Sequence, residues 1–289
     1  MEQDINKEII SAQKQGEELN QLSRLLFDRA SQRWYFAMGL EVVSGGLGIV
    51  IGTMLLSDKW RTIVAAAAFV FLALIYYLKI RSNYLYSTAE TMRRQSVLAE
   101  AIGWPISATQ FSDWRLKAGK ELLNKFKVSP RDEDYYMTKC DVGAERLLEM
   151  TIESCFYTRH LYEKIRKLAS TILIVTIIAW ILALSVIPFD DISNVTRLRV
   201  VYLLYLALPI ILSADILGWT IKLGTLSRSI KEIEQDLERL SKSGDLDIPQ
   251  VMRLVSEYNC QLVGGIPIPK VLFRLWHNEI RELWEKRMA

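Results

Sequence analysis

The chain has 289 residues, 51% of them apolar, with 36 Lys and Arg against 33 Asp and Glu, a net charge of +3 and a mean hydropathy of +0.13. These values exclude a disordered or collagen-like chain and are too apolar for an ordinary water-soluble domain, while the small, interspersed charge gives no reason to expect nucleic-acid binding. Charged residues still make up 24%, so the apolar excess must be gathered into segments, as in a multi-pass membrane protein with a large wet part.

The fold class expected is an all-α membrane protein, two transmembrane helical hairpins (four transmembrane helices) with long cytoplasmic helical stalk extensions. Residues 1–33 form a cytoplasmic amphipathic helix, with Leu19, Leu22, Leu25, Leu26 and Ala30 along one face. The opening run MEQDINKEII is polar and acidic, unlike the basic and then apolar start of a secretory signal. Residues 34–78 are the first hairpin: Trp34 to Ser57, broken only by Glu41, then Thr62 to Leu78. Each stretch is long enough to cross about 30 Å of hydrocarbon as a helix.

Residues 79–167 return to a helical period in the cytoplasm, first at Leu85, Ala89, Met92 and Ala99. The period breaks between Ile102 and Asp141, where Gly103-Trp104-Pro105 precedes a short amphipathic helix near Trp114 to Phe126 and a Ser129-Pro130 turn. From Val142 through Leu148, Cys155, Phe156, Tyr162 and Ile165 it runs without proline into the second hairpin, residues 168–221. That hairpin comprises Leu168 to Phe189 and Val200 to Ile221, the latter broken only by Asp215.

Residues 222–289 hold a coiled-coil stretch and C-terminal helices. Leu226, Ile230, Ile233, Leu237 and Leu240 alternate steps of four and three, which guarantees a buried seam but leaves open whether its partner is the same chain or another copy. Asp247 caps a helix with Pro249 in its first turn, and Gly264 to Pro269 separates it from a last helix carrying Phe273, Trp276, Ile280, Leu283 and Trp284. Packing explains that aromatic stripe; docking on the membrane surface or a neighbouring subunit is the other reading.

Short connections make both hairpins turn on one side of the membrane. Of the 36 Lys and Arg, only Lys59, Arg61, Arg197 and Arg199 lie in the two tips. Both termini and the middle region are therefore expected in the cytoplasm.

Catalysis leaves little trace. Gly119-Lys120 imitates the end of a phosphate-binding loop, but Trp114 stands where its first glycine belongs and Glu121 where a hydroxyl would hold magnesium. His160 and His277 lack neighbours at metal-ligand spacing, so no metal and no enzyme are expected. Cys140, Cys155 and Cys260 form no CxxC pair, which suits a reducing compartment.

Inside the membrane segments, Ser44, Gly48 and Gly52 recur every four residues, a slender face that lets another helix approach, within the chain or across an oligomer. Glu41 and Asp215 are the only carboxylates there. They sit at the interface with Arg33 or Lys222 as counter-charge, or line a vestibule, where the kink permitted by Pro209 makes a gate.

Two hairpins, a long cytoplasmic middle and a closing helical region resemble the SMODS-associated four-transmembrane effectors of bacterial anti-phage defence. The local echoes are the Gln- and Leu-rich lead-in from Gln13 to Arg33, the segment Gly143 to Glu149 running on through Glu153 to Tyr157, and Gly265-Ile266-Pro267-Ile268-Pro269 before Phe273-Arg274. The resemblance implies a multi-pass protein of the bacterial inner membrane that responds to a nucleotide second messenger, oligomerises or rearranges, and permeabilises the bilayer. A cyclic oligonucleotide is polyanionic, so its site would combine Arg with aromatic stacking. Arg93, Arg94, Trp104, Trp114, Arg115, Arg131, Tyr135 and Tyr136 are the candidates. Two other classes stay open: a membrane-anchored scaffold that recruits a cytoplasmic sensor or enzyme, and a small ion channel or transporter, for which polar residues at the midplane are scarce.

The topology has a direct test. Single cysteines placed at Lys59 and Arg197 in a cysteine-free background should react with a membrane-impermeant maleimide in intact cells, and labelling only after lysis would refute the orientation.

Overall fold

The structure, a computed structural model, describes residues 2–53, 58–128, 136–186, 216–244, 246–263 and 265–288. The described residues form seven helices and no strand: α1 (Glu2–Thr53), α2 (Asp58–Ile102), α3 (Ala108–Val128), α4 (Ala144–Val186), α5 (Ile216–Ser243), α6 (Ile248–Val263) and α7 (Lys270–Met288). Proline placement sets much of this punctuation. Pro105, Pro267 and Pro269 fall outside the helices, and Pro249 occupies the first turn of α6, where its missing N–H costs nothing.

Two compact units divide the chain, with boundaries inside α1, α2, α4 and α5. The first comprises Met1–Gln32, Ser82–Tyr162 and Thr225–Ala289. Its core begins where Leu19, Leu22, Leu26 and Ala30 of α1 meet Leu85, Ala89, Met92 and Ala99 of α2. Small residues let these helices come close. A Cβ on Gly16 would lie 3.1 Å from the Ser96 carbonyl oxygen, and Ser82 Oγ donates across to the Ala30 carbonyl at 2.7 Å. α3 adds Trp114, Ala118 and Leu122 to the same core and bends at Gly119, whose φ of 80° is left-handed.

α2 ends on Gly103, also left-handed at φ 65°, whose N–H bonds the Ala99 carbonyl at 3.1 Å. That closes the helix with a positive-φ cap and turns the chain at Trp104-Pro105. On the other side of the unit, Leu147, Leu148, Met150 and Cys155 of α4 are buried, as are Leu226, Ile230, Ile233 and Leu237 of α5. The heptad-like seam of α5 thus finds its cover inside the unit. α6 inserts Val251, Leu254, Val255, Tyr258 and Leu262, and α7 inserts Ile280 and Trp284.

The second unit, Arg33–Arg81 and Glu163–Gly224, has the opposite surface. Phe69 is 73% exposed, and Val70, Leu72, Tyr76, Tyr77 and Ile80 of α2 are also exposed, as are Ile172, Ile174, Val175, Ile178 and Ile181 of α4. Among the described residues, Ala66–Ile102 of α2 is the one stretch long and apolar enough to cross a membrane, and only 11% of its most apolar window is buried. A helix of that composition in the core of a water-soluble protein would be mostly covered. Among the described residues the protein is therefore all-helical, with one helix of membrane-spanning character. The end of the predicted first span with Ser57 of its tip, the second connection at 190–199 and most of the predicted fourth span lie outside the described residues.

Close packing at Gly265 is open to test. A Cβ there would collide with the Tyr86 hydroxyl and lie 2.9 Å from the Leu262 carbonyl oxygen, whereas one at Gly143 meets nothing within 4 Å. Gly265→Ala should lower stability in detergent by about 1–3 kcal/mol, read as a shifted denaturation midpoint, and Gly143→Ala should not. Equal effects would show that the loop is not packed as described.

Candidate functional site

The richest concentration of polar chemistry in the first unit is a knot where five helices meet. Arg93, one turn beyond Glu90 on α2, donates to Glu90 Oε2 from Nε at 3.2 Å and from Nη2 at 3.1 Å. Its Nη2 also reaches the Asn259 side-chain oxygen on α6 at 3.0 Å, while Arg94 Nη2 donates to the Asn259 main-chain carbonyl at 2.6 Å. The guanidinium of Arg93 lies over the ring of Tyr258, 5.6 Å from its centroid.

Tyr258 carries the network to α4. Its hydroxyl shares a 2.9 Å hydrogen bond with Thr158 Oγ1 and donates to the Ser154 carbonyl at 3.2 Å. Next to Thr158, Arg159 grips Glu234 of α5 through Nε at 2.7 Å. Arg287 of α7 bonds the same carboxylate and also pairs with Glu238. The Glu234 side chain is only 3% exposed, so two guanidiniums on it compensate a charge removed from water. Cys155, fully buried, lies within electrostatic reach of Glu234, Arg93 and Arg159, and burial pushes its thiol well above the usual range. The phenols of Tyr162 and Tyr258 are raised by burial as well.

The segment before α4 is strapped to it by two carboxylates one turn apart. Thr138 Oγ1 donates to Glu149, and the Met137 N–H donates to Glu153 Oε2 at 3.0 Å. Burial pushes the Glu153 carboxyl up to about 7, opposed by the Met137 bond and by Arg281. Among the described residues, Cys140, Glu145 and Glu149 form the one group whose metal-ligating atoms lie within 4.8 Å of one another. Burial and the hydrogen bond to Glu149 raise the Cys140 thiol, which makes it a weak donor to a cation.

The candidates picked out by Arg and aromatic composition do not share one place. Arg93 and Arg94 belong to the knot, and Tyr136 approaches α4 through Ser154 Oγ at 3.5 Å. Trp114 is a core residue 7% exposed, Arg115 lies 3.8 Å from Glu18 and over the Phe111 ring, and Trp104 is half exposed past the end of α2. Arg131 and Tyr135 lie outside the described residues, as do Pro209 and Asp215. Ser44, Gly48 and Gly52 are all on α1, with the surroundings of Gly48 and Gly52 outside the description.

Glu41 takes Lys79 of α2 at 2.5 Å, a different counter-charge from the Arg33 suggested by proximity in sequence. Lys79 also stands 5.6 Å from the centroid of the Trp34 ring, which stacks on Trp219 at 6.0 Å. The pairing follows from α2 running antiparallel beside α1 within the second unit, which sets position 79 opposite position 41.

A groove of about 630 Å³ lies between α5 and α6. Glu232, Asp236 and Glu257 line it against Arg253, so it is acidic and ill suited to a phosphate-bearing ligand. Comparison with protein-family models, curated proteins and solved structures yields no match.

The knot makes a sharp energetic statement. Arg93→Ala leaves the Glu90 carboxylate buried with Arg94 at 4.0 Å as its nearest cation, and should cost about 3–5 kcal/mol of stability. Replacing both Arg93 and Glu90 by Met should recover most of that loss in the same denaturation assay. A double variant as unstable as the single one would mean that packing, not charge, governs the site.

Proposed function

We propose that this chain is a multi-pass effector of the bacterial inner membrane, with four spans and both termini in the cytoplasm. In this reading the first unit receives a signal, and the second responds by rearranging or oligomerising so that the bilayer becomes permeable. The observation that carries it is the apolar surface of the second unit, where Phe69, Val70, Tyr76 and Tyr77 face outward and only lipid or another helix can cover them. The first unit, in contrast, buries a continuous apolar core and knots its ion pairs between helices, as a part working in water should.

A cyclic oligonucleotide is the trigger proposed, in keeping with the resemblance to anti-phage effectors, and no catalysis is assigned. Coupling requires only that the ligand bind one arrangement of the helices better than the other. α1, α2, α4 and α5 each contribute residues to both units, so they are the elements through which such a bias would pass.

One observation favours a second reading, a membrane-anchored scaffold without a pore. Arg93 and Arg94 are bonded to Glu90 and Asn259 inside the unit, and a messenger site would have to be built from other groups or by breaking those bonds.

Controlled overexpression with a potential-sensitive dye separates the two. The effector should depolarise cells, with the loss suppressed by Gly48→Leu or Gly52→Leu at equal protein level; an intact potential at high expression would favour the scaffold.

A further inference from the structure

We infer that α7 is a detachable clasp: it closes the first unit through ion pairs at its two ends and is the element that releases first. Its apolar hold is slight. Of its 19 residues only Ile280 and Trp284 are buried, whereas α6 buries five of its 16. Val271 and Leu275, one turn apart, are 76% and 67% exposed. An element with so little covered surface belongs to the low-stability end of a fold.

Charge does the rest of the holding. At the start of α7, Lys270 pairs with Asp28 of α1. At its end, Arg287 pairs with Glu234 and Glu238 of α5 and lies over the Phe156 ring of α4, 5.1 Å from its centroid. The groups that α7 contributes are open to water, with Lys270 49% and Arg287 30% exposed, so both contacts are weakened by salt and by competing anions.

Two features let the clasp open without wrecking the unit. Arg159 stays on Glu234 when Arg287 leaves, so the buried carboxylate is not orphaned. The connection from α6 is fixed on the core side: Ile266 is buried, and Gly265 lies against the hydroxyls of Tyr86 and Tyr162. Pro267 and Pro269 then stiffen the last step before α7. The helix pivots from that anchored point as one piece. Opening uncovers Phe156 and Trp284 and removes one of the two cations from Glu234.

Hydrogen exchange on the full chain in detergent micelles tests this. Amides of 270–288 should exchange at least tenfold faster than those of 226–240, and Arg287→Ala should accelerate 270–288 and 152–160 by a further tenfold or more while leaving 85–99 unchanged. Lys270→Ala should act in the same direction with a smaller effect. Protection of 270–288 equal to that of 226–240, or acceleration by Arg287→Ala spread evenly over the unit, would overturn the clasp. Its role as the switch rests on the effector reading, and the same variant separates the two. If Arg287→Ala opens 270–288 while neither it nor the parent chain depolarises cells, the clasp stands and the effector reading falls.

Discussion

Removing a carboxylate from water costs several kcal/mol, and besides Glu153 the first unit does so at Glu90 and at Glu234, each in a unit whose buried residues are mostly apolar. The fold answers with four guanidiniums, Arg93 and Arg94 around the first and Arg159 and Arg287 around the second. Such pairs contribute little net stability compared with well-packed hydrocarbon, but they tolerate only one register. A slip of one turn in α2, α5 or α6 would part Arg93 from Asn259 or Arg159 from Glu234 and leave charge buried alone. The hydrophobic seams bring the helices together, and the knot fixes how they align.

The two units present different surfaces with the same secondary structure. Regular helix satisfies every internal backbone group, so it serves equally in water and in hydrocarbon, and the side chains decide which. Where α2 leaves the first unit its outward residues change from polar to Leu72, Tyr76, Tyr77 and Ile80. Even there one ion pair persists, Glu41 with Lys79, under the aromatic cover of Trp34 and Trp219. Under the proposed membrane reading, a salt bridge beside two tryptophans would suit the border between water and lipid, where amphipathic rings are favoured.

Local signals were readable in the sequence and long-range pairings were not. The period of Leu226, Ile230, Ile233, Leu237 and Leu240 marks a buried stripe, of which the first four are buried and Leu240 is half-buried. Glycine and proline at 103–105 and 264–269 mark breaks, and helices stop there. By contrast, Arg159 and Glu234 are 75 residues apart, and nothing but tertiary packing selects that partner. A clue was present in that Glu234 falls on the apolar stripe of α5, one turn from Ile230. Trp114 and Arg115 looked like half of a stacking site because of their chemistry, yet the spacing of Trp114, Ala118 and Leu122 already described a helix face turned to a core. The bend at Gly119 was hidden by its likeness to the end of a phosphate loop.

The strap over α4 has a thermodynamic corollary. In the folded unit Glu153 holds its proton until about pH 7, while an ordinary Glu gives it up near 4.5, so folding draws a proton from the medium across that interval. The stabilisation this group provides is complete in acid, below about 4.5, and fades as alkalinity carries the surroundings through about 7. Acid therefore favours the folded unit as a whole, whereas the Met137 N–H favours the ionised carboxylate, so the bond that ties the strap to Glu153 is firmest in a basic medium.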